Sequence, residues 1–451
     1  MKAIWCFAKV LGAVIACLAS IASGGAMAAP RAQAFTLSNG LQVVVVPDHR
    51  VPVVTHMVWY RVGGADDPEG RSGLAHFLEH LMFKSTIHLR SGEFSRIVAR
   101  LGGRENALTT HDTTSYFQRV AKSHLRSVME LEADRMANLR LVEAEVLTER
   151  DVVAEERRSS IEAVPLSLLS EEMLALLYAN HPYRRPVLGW PHEIPQLSLG
   201  DAARFYKRHY APNNAVLVVV GDVAAEEVRS LAEATYGHNR AQPEIRPRSR
   251  PQEPPLRAIR RIRLEDPRVG APLLVRYYHA PNLVTARTGE AEAAAVLVQV
   301  LGANDTGRLH RRLVLERKVA VHAAAEYQAG GLDGGRIALL AVARDDLSLA
   351  AIEAAVDEVI SEVRDQEIEA RELARAKLAL EAHRLFGTDS QLALATRYGE
   401  GVALGVPIKI IEETAQRLAQ VSAADVRALA RQRLTPQRSV TGTLIKSPVA
   451  P

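Results

Sequence analysis

The sequence has little cysteine, few aromatic residues and almost no excess charge. Of its 451 residues, two are cysteines (Cys6 and Cys17), 5% are aromatic, and the formal net charge is +4. A charge this close to neutral argues against nucleic-acid binding, and the sequence has neither zinc-finger spacing nor a glycine-rich phosphate loop. Hydrophobic residues make up 47% and charged residues 24%, which is typical of a folded globular protein, and the length allows two or three domains.

Residues 1–28 are predicted to be a secretory signal peptide. Two lysines precede an apolar run, and Ala26-Met27-Ala28 has the A-x-A form of a cleavage site. The run is too short for a transmembrane helix, and no later stretch is long and apolar enough to span a membrane. We expect cleavage after Ala28 and a periplasmic location, with no cysteine left to form disulfides. A lipoprotein site at Cys17 is the less favoured alternative, because the apolar run continues past it.

The most informative motif is His76-Phe-Leu-Glu79-His80, an H-x-x-E-H pattern. Histidines four residues apart lie one helical turn from each other, so both imidazoles can reach one metal ion. The apolar residues of the same segment fall on the opposite side of a helix and would dock it: Leu74, Phe77, Leu78, Leu81 and Met82. The pattern is short enough to arise by chance in roughly a few per cent of chains of this composition, so it needs support from other residues.

That support comes from the segment Thr148–Arg157, which has the composition of a long charged helix. Glu149 and Glu156 are two helical turns apart and therefore share a face. On its own such a segment would be interpreted as a solvated acidic helix. Taken together, H-x-x-E-H and E-R-x-V-x-x-E-E resemble the pitrilysin family of zinc peptidases, the inverzincins. The similarity is to the short branch that includes the mitochondrial processing peptidases and their bacterial relatives.

The resemblance implies a Zn²⁺ ion held by His76, His80 and Glu156, with Glu79 as the general base. Glu155 is the alternative third ligand, because the sequence does not fix the register of the helix. Glu149 would act beside the metal, by hydrogen bonding to a liganding histidine or by orienting water. Two imidazoles and one carboxylate suit zinc best but do not exclude manganese or cobalt.

A third segment, Gly102–Phe117, resembles the family pattern N-A-x-T-x-x-D-x-T-x-Y. The resemblance implies an exposed edge strand to which a peptide substrate adds as an extra strand, with Asn106 and Ala107 in contact with it. An ordinary edge strand without a binding role is the alternative. His111 is expected to be a surface histidine.

The chain is predicted to consist of two related domains. The proline-rich stretch 239–257 would be a linker between a metal-bearing peptidase domain, 29–238, and a homologous domain without metal, 258–451. The stretch Leu197–Pro212 parallels Val421–Pro436, and both begin with S-x-x-D, a capping-box-like helix start, and lead into an apolar strand. The fold class is therefore α+β, with two tandem sheet-plus-helix domains. The family resemblance adds a clamshell in which the halves face each other across a chamber.

The second half lacks features that the family resemblance would place there. The stretch Glu290–Gly302 has no histidine pair, and Val314 and Val321 stand where many relatives carry an arginine and a tyrosine seven residues later. The side chains considered as substitutes for that pair are Tyr327, His322, Arg311 and Arg312.

These features predict a periplasmic zinc endopeptidase that acts on peptides or unfolded segments. The missing pair predicts a homodimer or, more specifically, a heterodimer whose sister chain supplies the arginine and tyrosine. The alternative is a non-catalytic structural or binding subunit of a pitrilysin-like assembly.

Overall fold

The computed structural model describes residues 31–302, 305–344 and 349–447. The predicted signal peptide, its cleavage site and both cysteines lie outside these residues. Among the described residues no helix is both long enough and apolar enough to cross a membrane.

The first half is built on a six-stranded mixed sheet with the order β1-β2-β6-β3-β5-β4. Strands β2 and β6 run parallel, and the other neighbours are antiparallel. The strands are β1 Gln33–Thr36, β2 Gln42–Pro47, β3 Val53–Tyr60, β4 Arg104–Thr109, β5 Thr114–Ala121 and β6 Ala215–Gly221. The helices are α1 Leu74–Leu81, α2 Glu93–Arg100, α3 Leu125–Asn138, α4 Glu143–Arg157, α5 Pro165–Leu177, α6 Leu199–His209 and α7 Ala225–Thr235.

The second half is built on a five-stranded sheet with the order β7-β11-β8-β10-β9, in which β7 and β11 run parallel. The strands are β7 Arg260–Glu265, β8 Leu273–Ala280, β9 Ala320–Gln328, β10 Gly335–Ala343 and β11 Ser439–Ile445. The helices are α8 Glu290–Leu301, α9 Leu349–Asp365, α10 Ala370–Gly387, α11 Gln391–Ala403, α12 Ile408–Glu412, α13 Thr414–Gln420 and α14 Ala423–Arg433.

The two halves repeat one topology. Apart from the extra strand β1, the order β2-β6-β3-β5-β4 corresponds strand by strand to β7-β11-β8-β10-β9. The repeated S-x-x-D segments form capping boxes at equivalent helices, Ser198 with Asp201 in one half and Ser422 with Asp425 in the other. The predicted α+β fold of two sheet-plus-helix halves is confirmed.

Each half also contributes a helix to the other. The valines of β2 alternate between two cores, so that Val43 and Val45 face the helices of the first half and Val44 and Val46 face away from them. Helix α11 of the second half covers this second face, with Leu394 among its contacts. In return, α5 of the first half packs on the second sheet. Since strands buried on both faces are nearly continuous apolar runs, this exchange explains the valine-rich sequences of β2 and β6.

The stretch between the halves is anchored by a buried arginine. The guanidinium of Arg250 pairs with Asp66 at 2.8 Å and with Asp112, both in the first half. The same group pairs with Asp333 of the second half at 3.1 Å, and its side chain is 5% exposed. This part of the predicted linker is therefore fixed to both halves. The domain boundaries remain predictions.

Candidate metal centre

Helix α1 begins at a tightly built turn. Gly73 precedes the helix with φ 86°, and a Cβ atom at this position would lie 2.7 Å from the carbonyl oxygen of Leu188. The side-chain oxygens of Asp67 accept hydrogen bonds from the backbone N–H groups of Gly73 and Ala75, each at 2.8 Å. Asp67, six residues before Gly73, therefore caps the N-terminus of α1 although it is not the residue at the N-cap position. Burial raises the pKa of Asp67 to about 8, against the lowering effect of these two hydrogen bonds.

The apolar side of α1 fixes its rotation. Leu74, Phe77, Leu78 and Leu81 are almost completely buried in the main core of the first half. On the other side lie His76 and Glu79, which are 8% and 9% exposed. The predicted division of the helix into an apolar and a polar side is present, although the polar side is largely covered.

The structure brings His76, His80 and Glu156 together. One potential ligand atom from each residue lies within 4.8 Å of the other two. Oε2 of Glu156 is 3.6 Å from Nε2 of His76 and 3.2 Å from Nε2 of His80. Glu156 comes from α4, which packs against α1, so the three donors converge from two helices.

These residues fit a zinc ion. Zinc with bonds of about 2.0–2.1 Å in a tetrahedral arrangement places neighbouring ligand atoms roughly 3.3 Å apart, between the two separations observed. Burial, with a further contribution from His80, lowers the pKa of His76 to about 3, so its imidazole is neutral and has a lone pair to offer. Glu156 would complete the set as the carboxylate ligand.

Glu155 does not face this site. Its carboxylate pairs with Arg158 at 2.5 Å, and its side chain is 67% exposed. The register of α4 thus turns Glu156 toward the histidines and Glu155 toward solvent.

Glu149 is not one of the three potential metal ligands but contacts one of them, His80. Its Oε2 is 3.3 Å from Nδ1 of His80, and its Oε1 is 2.5 Å from Nζ of Lys84. Burial opposes ionisation of Glu149, but the hydrogen bonds from His80 and Lys84 outweigh it and lower its pKa. An ionised Glu149 holds the proton of His80 on Nδ1 and leaves Nε2 free for a metal. The contact of Glu149 with Lys84 was not predicted; Lys84 lies three residues past the end of α1.

Glu79 is held by a residue of the edge strand. The hydroxyl of Thr109, at the end of β4, donates a hydrogen bond to Oε2 of Glu79. Burial raises the pKa of Glu79, although the bond from Thr109 acts in the opposite direction. Thr109 belongs to the pattern noted in the sequence, but its contact with Glu79 was not predicted.

The residues predicted to contact substrate lie on the same strand. Strand β4 is the outer strand of its sheet, and β5 is its one partner strand within the described part of the chain. Asn106 is exposed, and its Oδ1 accepts a hydrogen bond from the backbone N–H of Ala107 at 2.9 Å. Substrate contact by these two residues remains a prediction. His111 is half-buried, with Nε2 at 3.0 Å from the carbonyl oxygen of Arg185, and is not the surface residue expected.

In the second half, Val314 is half-buried against the core and Val321 is 53% exposed. Among the considered substitutes, Tyr327 donates its hydroxyl to the carbonyl oxygen of Pro281 at 2.6 Å. Arg311 and Arg312 are both paired with Glu316. These hydrogen bonds and ion pairs all lie within the second half.

Comparisons with known proteins agree with the motif. Residues 42–190 match the sequence profile described as Insulinase (Peptidase family M16), and residues 196–380 match that described as Peptidase M16 inactive domain. The chain is 41% identical over 208 residues to the zinc protease PqqE of Helicobacter pylori, an alignment that spans 46% of this chain and 47% of that protein. It is 29% identical over 410 residues to an uncharacterised zinc protease of Mycobacterium leprae, covering 88% of each.

A crystal structure of a protease from Helicobacter pylori has the same fold. The TM-score is 0.87 at 29% identity, over 92% of this chain and 99% of that one. The two profile matches cover successive parts of the chain, and the donor set lies in the first of them. The chain therefore belongs to peptidase family M16, the pitrilysin or insulinase family, as its motifs predicted.

Proposed function

We propose that this protein is a zinc-dependent endopeptidase that hydrolyses peptides or unfolded segments. The observation that carries the proposal is the convergence of His76, His80 and Glu156 beside the buried carboxylate of Glu79. Relatives named zinc proteases support the same class of reaction.

Each side chain of the site has a part in this reaction. Zinc held by His76, His80 and Glu156 would supply Lewis-acid chemistry for polarising a peptide carbonyl. Glu79 accepts the proton of the attacking water and later returns it to the leaving amine, a role that suits a carboxylate whose pKa is raised by burial. Thr109 keeps the Glu79 carboxylate in one orientation, and Glu149 does the same for the ring of His80.

The free edge of β4 is the proposed substrate site. Because Thr109 belongs to this strand, a peptide that adds to it is brought next to the residue that positions Glu79. Asn106 and Ala107 are the proposed substrate contacts.

Zinc content and peptide hydrolysis of the mature chain test this function. Glu79→Gln should bind about one zinc ion per chain, as the wild type does, and lose hydrolysis of a quenched fluorescent peptide. Glu155→Gln, whose carboxylate faces solvent, is the matched control and should retain activity. If Glu79→Gln, prepared free of wild-type enzyme, cleaves as fast as the wild type, the proposal is wrong.

We also propose that the active unit is a dimer, and specifically that a sister chain supplies the arginine and tyrosine. Neither Val314 nor Val321 can donate a hydrogen bond to a substrate carbonyl, and such donors commonly contribute a few kcal/mol to transition-state stabilisation. Activity should therefore rise when the chain is mixed with the product of its genomic neighbour, if that gene encodes a related protein. Equal activity alone and in the mixture would contradict the heterodimer. The absence of zinc and of hydrolysis in both samples would favour the structural subunit.

The proposed location is the periplasm, and it rests on the predicted signal peptide. Expression of the full-length chain in a Gram-negative host, followed by fractionation and N-terminal sequencing, should give a periplasmic protein that begins at Ala29.

A further inference from the structure

A cavity of about 390 Å³ lies between the two halves. The first half lines it with the turn between β4 and β5, the end of α5 and the stretch that follows α5, and the second half with the end of β9, the start of β10 and helix α11. Leu174, Val187 and Leu404 form its apolar wall. The described residues that line it include neither Glu79 nor the candidate metal ligands. Its volume lies within the range of about 300–1,000 Å³ that is usual for small-molecule sites.

Glu400, on α11, brings a carboxyl group without a protein partner to this cavity. Its side chain is half-buried, and within the described part of the chain it forms no hydrogen bond and no ion pair. Both of its oxygens keep accessible surface, so a ligand can reach them. A Cβ atom at Gly330 would collide with Oε1 of Glu400, so the glycine leaves room for the carboxyl group. Burial raises the pKa of Glu400, and the charge of Asp112 raises it further.

Arg336, on β10, and Tyr178, just after α5, bring two donors to the same cavity. The guanidinium of Arg336 lies over the ring of Tyr277 at 4.2 Å but forms no ion pair with a described residue. Its Nε is enclosed, whereas its two terminal nitrogens and the hydroxyl of Tyr178 keep accessible surface. Burial raises the pKa of Tyr178 to about 12, against the lowering effect of Arg336. The hydroxyl is therefore protonated, and it lies near the guanidinium.

The other titratable groups of the lining are engaged with protein groups. One oxygen of Asp112 pairs with Arg250, and the other accepts hydrogen bonds from the hydroxyl of Tyr183 and the backbone N–H of Leu332. Nε2 of His111 lies 3.0 Å from a backbone carbonyl oxygen, and burial lowers the pKa of this imidazole, so it is neutral. The charges that remain for a ligand are one carboxyl group and one guanidinium.

We propose that this cavity binds a compact zwitterion with an apolar side chain, whose ammonium group contacts Glu400 and whose carboxylate contacts Arg336 and Tyr178. Glu400 and Arg336 do not pair with each other in the described structure, so each lacks an opposite charge. A ligand with a single charge would leave the other group without a partner in a largely buried place, which is unfavourable. An ammonium beside Glu400 would favour its ionised form and complete a charge-assisted hydrogen bond.

A free amino acid and a short peptide share this chemistry. Both carry an ammonium group, a carboxylate and an apolar side chain that would pack against Leu174, Val187 and Leu404. The proposal does not depend on peptidase activity, because the cavity and the metal centre have no residue in common.

Binding of leucine to the full mature chain, measured by calorimetry and ligand-observed NMR, tests the site. Leucine should bind about tenfold or more tightly than isoamylamine, which lacks the carboxylate, and than 4-methylvalerate, which lacks the amine. Each analogue loses one contact with a charged group. Glycylleucine distinguishes the two sources, because a peptide site binds it more tightly than leucine and an amino-acid site binds it more weakly.

Variants of the three polar groups locate the binding. Glu400→Gln should remove the preference for leucine over 4-methylvalerate, and Arg336→Met should remove the preference over isoamylamine. Glu326→Gln and Arg263→Met are the matched controls, at exposed positions of the same half that do not line the cavity, and should bind leucine as the wild type does. Tyr178→Phe removes only a hydroxyl and should weaken leucine more than isoamylamine. It carries the test if a charged variant fails to fold.

The proposal is wrong if leucine does not bind, if leucine and its two analogues bind equally, or if the variants keep the preferences of the wild type. Amino acids also bind zinc, so the measurements are repeated on His80→Ala, which lacks one of the candidate metal ligands. Binding that His80→Ala abolishes belongs to the metal centre and equally contradicts the proposal.

Discussion

Thr109 and Glu79 are joined by a hydrogen bond that connects the edge strand β4 to the metal helix α1. The contact places the strand proposed to bind substrate one side chain away from the proposed base. Occupation of the strand and orientation of the base are thereby linked through a single hydroxyl.

Replacement of Thr109 tests this link. Thr109→Val keeps the shape of the side chain and removes the donor, so kcat should fall by about tenfold or more while zinc content stays unchanged. Thr36→Val, on the exposed strand at the opposite edge of the sheet, is the control. Steady-state kinetics together with metal analysis gives the answer, and an unchanged kcat would show that Thr109 does not position Glu79.

Glu149 is expected to act on metal affinity. Glu149→Gln replaces the carboxylate that pairs with His80 and Lys84 by a neutral amide. Loss of such a partner of a liganding histidine typically reduces metal affinity by about 10–100-fold. Competition with a chromophoric chelator measures the zinc dissociation constant. Glu143→Gln, on the exposed start of the same helix, should leave affinity unchanged. Equal affinities for Glu149→Gln and wild type would rule out this role.

Asp67 is expected to stabilise α1. Asp67→Ala leaves the N–H groups of Gly73 and Ala75 buried without their acceptor, which costs about 1–3 kcal/mol for each group. Thermal unfolding should therefore begin at a lower temperature than in the wild type. Asp151→Ala, at an exposed position of α4, should unfold like the wild type. A wild-type melting temperature in Asp67→Ala would contradict the capping role.

Arg250 is expected to hold the two halves together. Arg250→Met removes the guanidinium shared by Asp66, Asp112 and Asp333, and breaking a buried pair in this way typically costs about 3–5 kcal/mol. Arg246→Met, at an exposed position of the same stretch, is the control. Limited proteolysis should cut Arg250→Met between the halves under conditions in which the wild type and Arg246→Met remain intact. Equal resistance of the three proteins would show that the cluster does not anchor this stretch.

Stability should fall in acid partly because of His209. Burial is the main cause that lowers its pKa from the ordinary 6.5 to about 4, while Asp66 opposes this and Arg208 and Arg248 add to it. The imidazole of His209 therefore binds a proton more readily in the unfolded state than in the folded state. The contribution of neutral His209 to stability is fully present above about pH 6.5 and is lost as the pH falls toward 4. His209→Gln should lose less stability between pH 7 and pH 5 than the wild type, as measured by melting temperature. An identical loss in both proteins would exclude this contribution.

Local spacing in the sequence determined the core of the candidate site. Histidines four residues apart meet on any α-helix, and Glu149 and Glu156, seven apart, share a face, because the helix repeats every 3.6 residues. The repeated S-x-x-D starts likewise revealed two related halves, since a capping box involves only neighbouring residues.

Contacts between distant segments were decided by the tertiary structure alone. The packing of α4 against α1 selected Glu156 over Glu155, and the sheet brought Thr109 to Glu79. The exchange of α5 and α11 between the halves, and the cavity that both halves line, also depend on how whole elements pack. A helical repeat fixes which side chains share a face, whereas the rotation of one element against another is set by the fit of many apolar side chains, which short motifs do not encode.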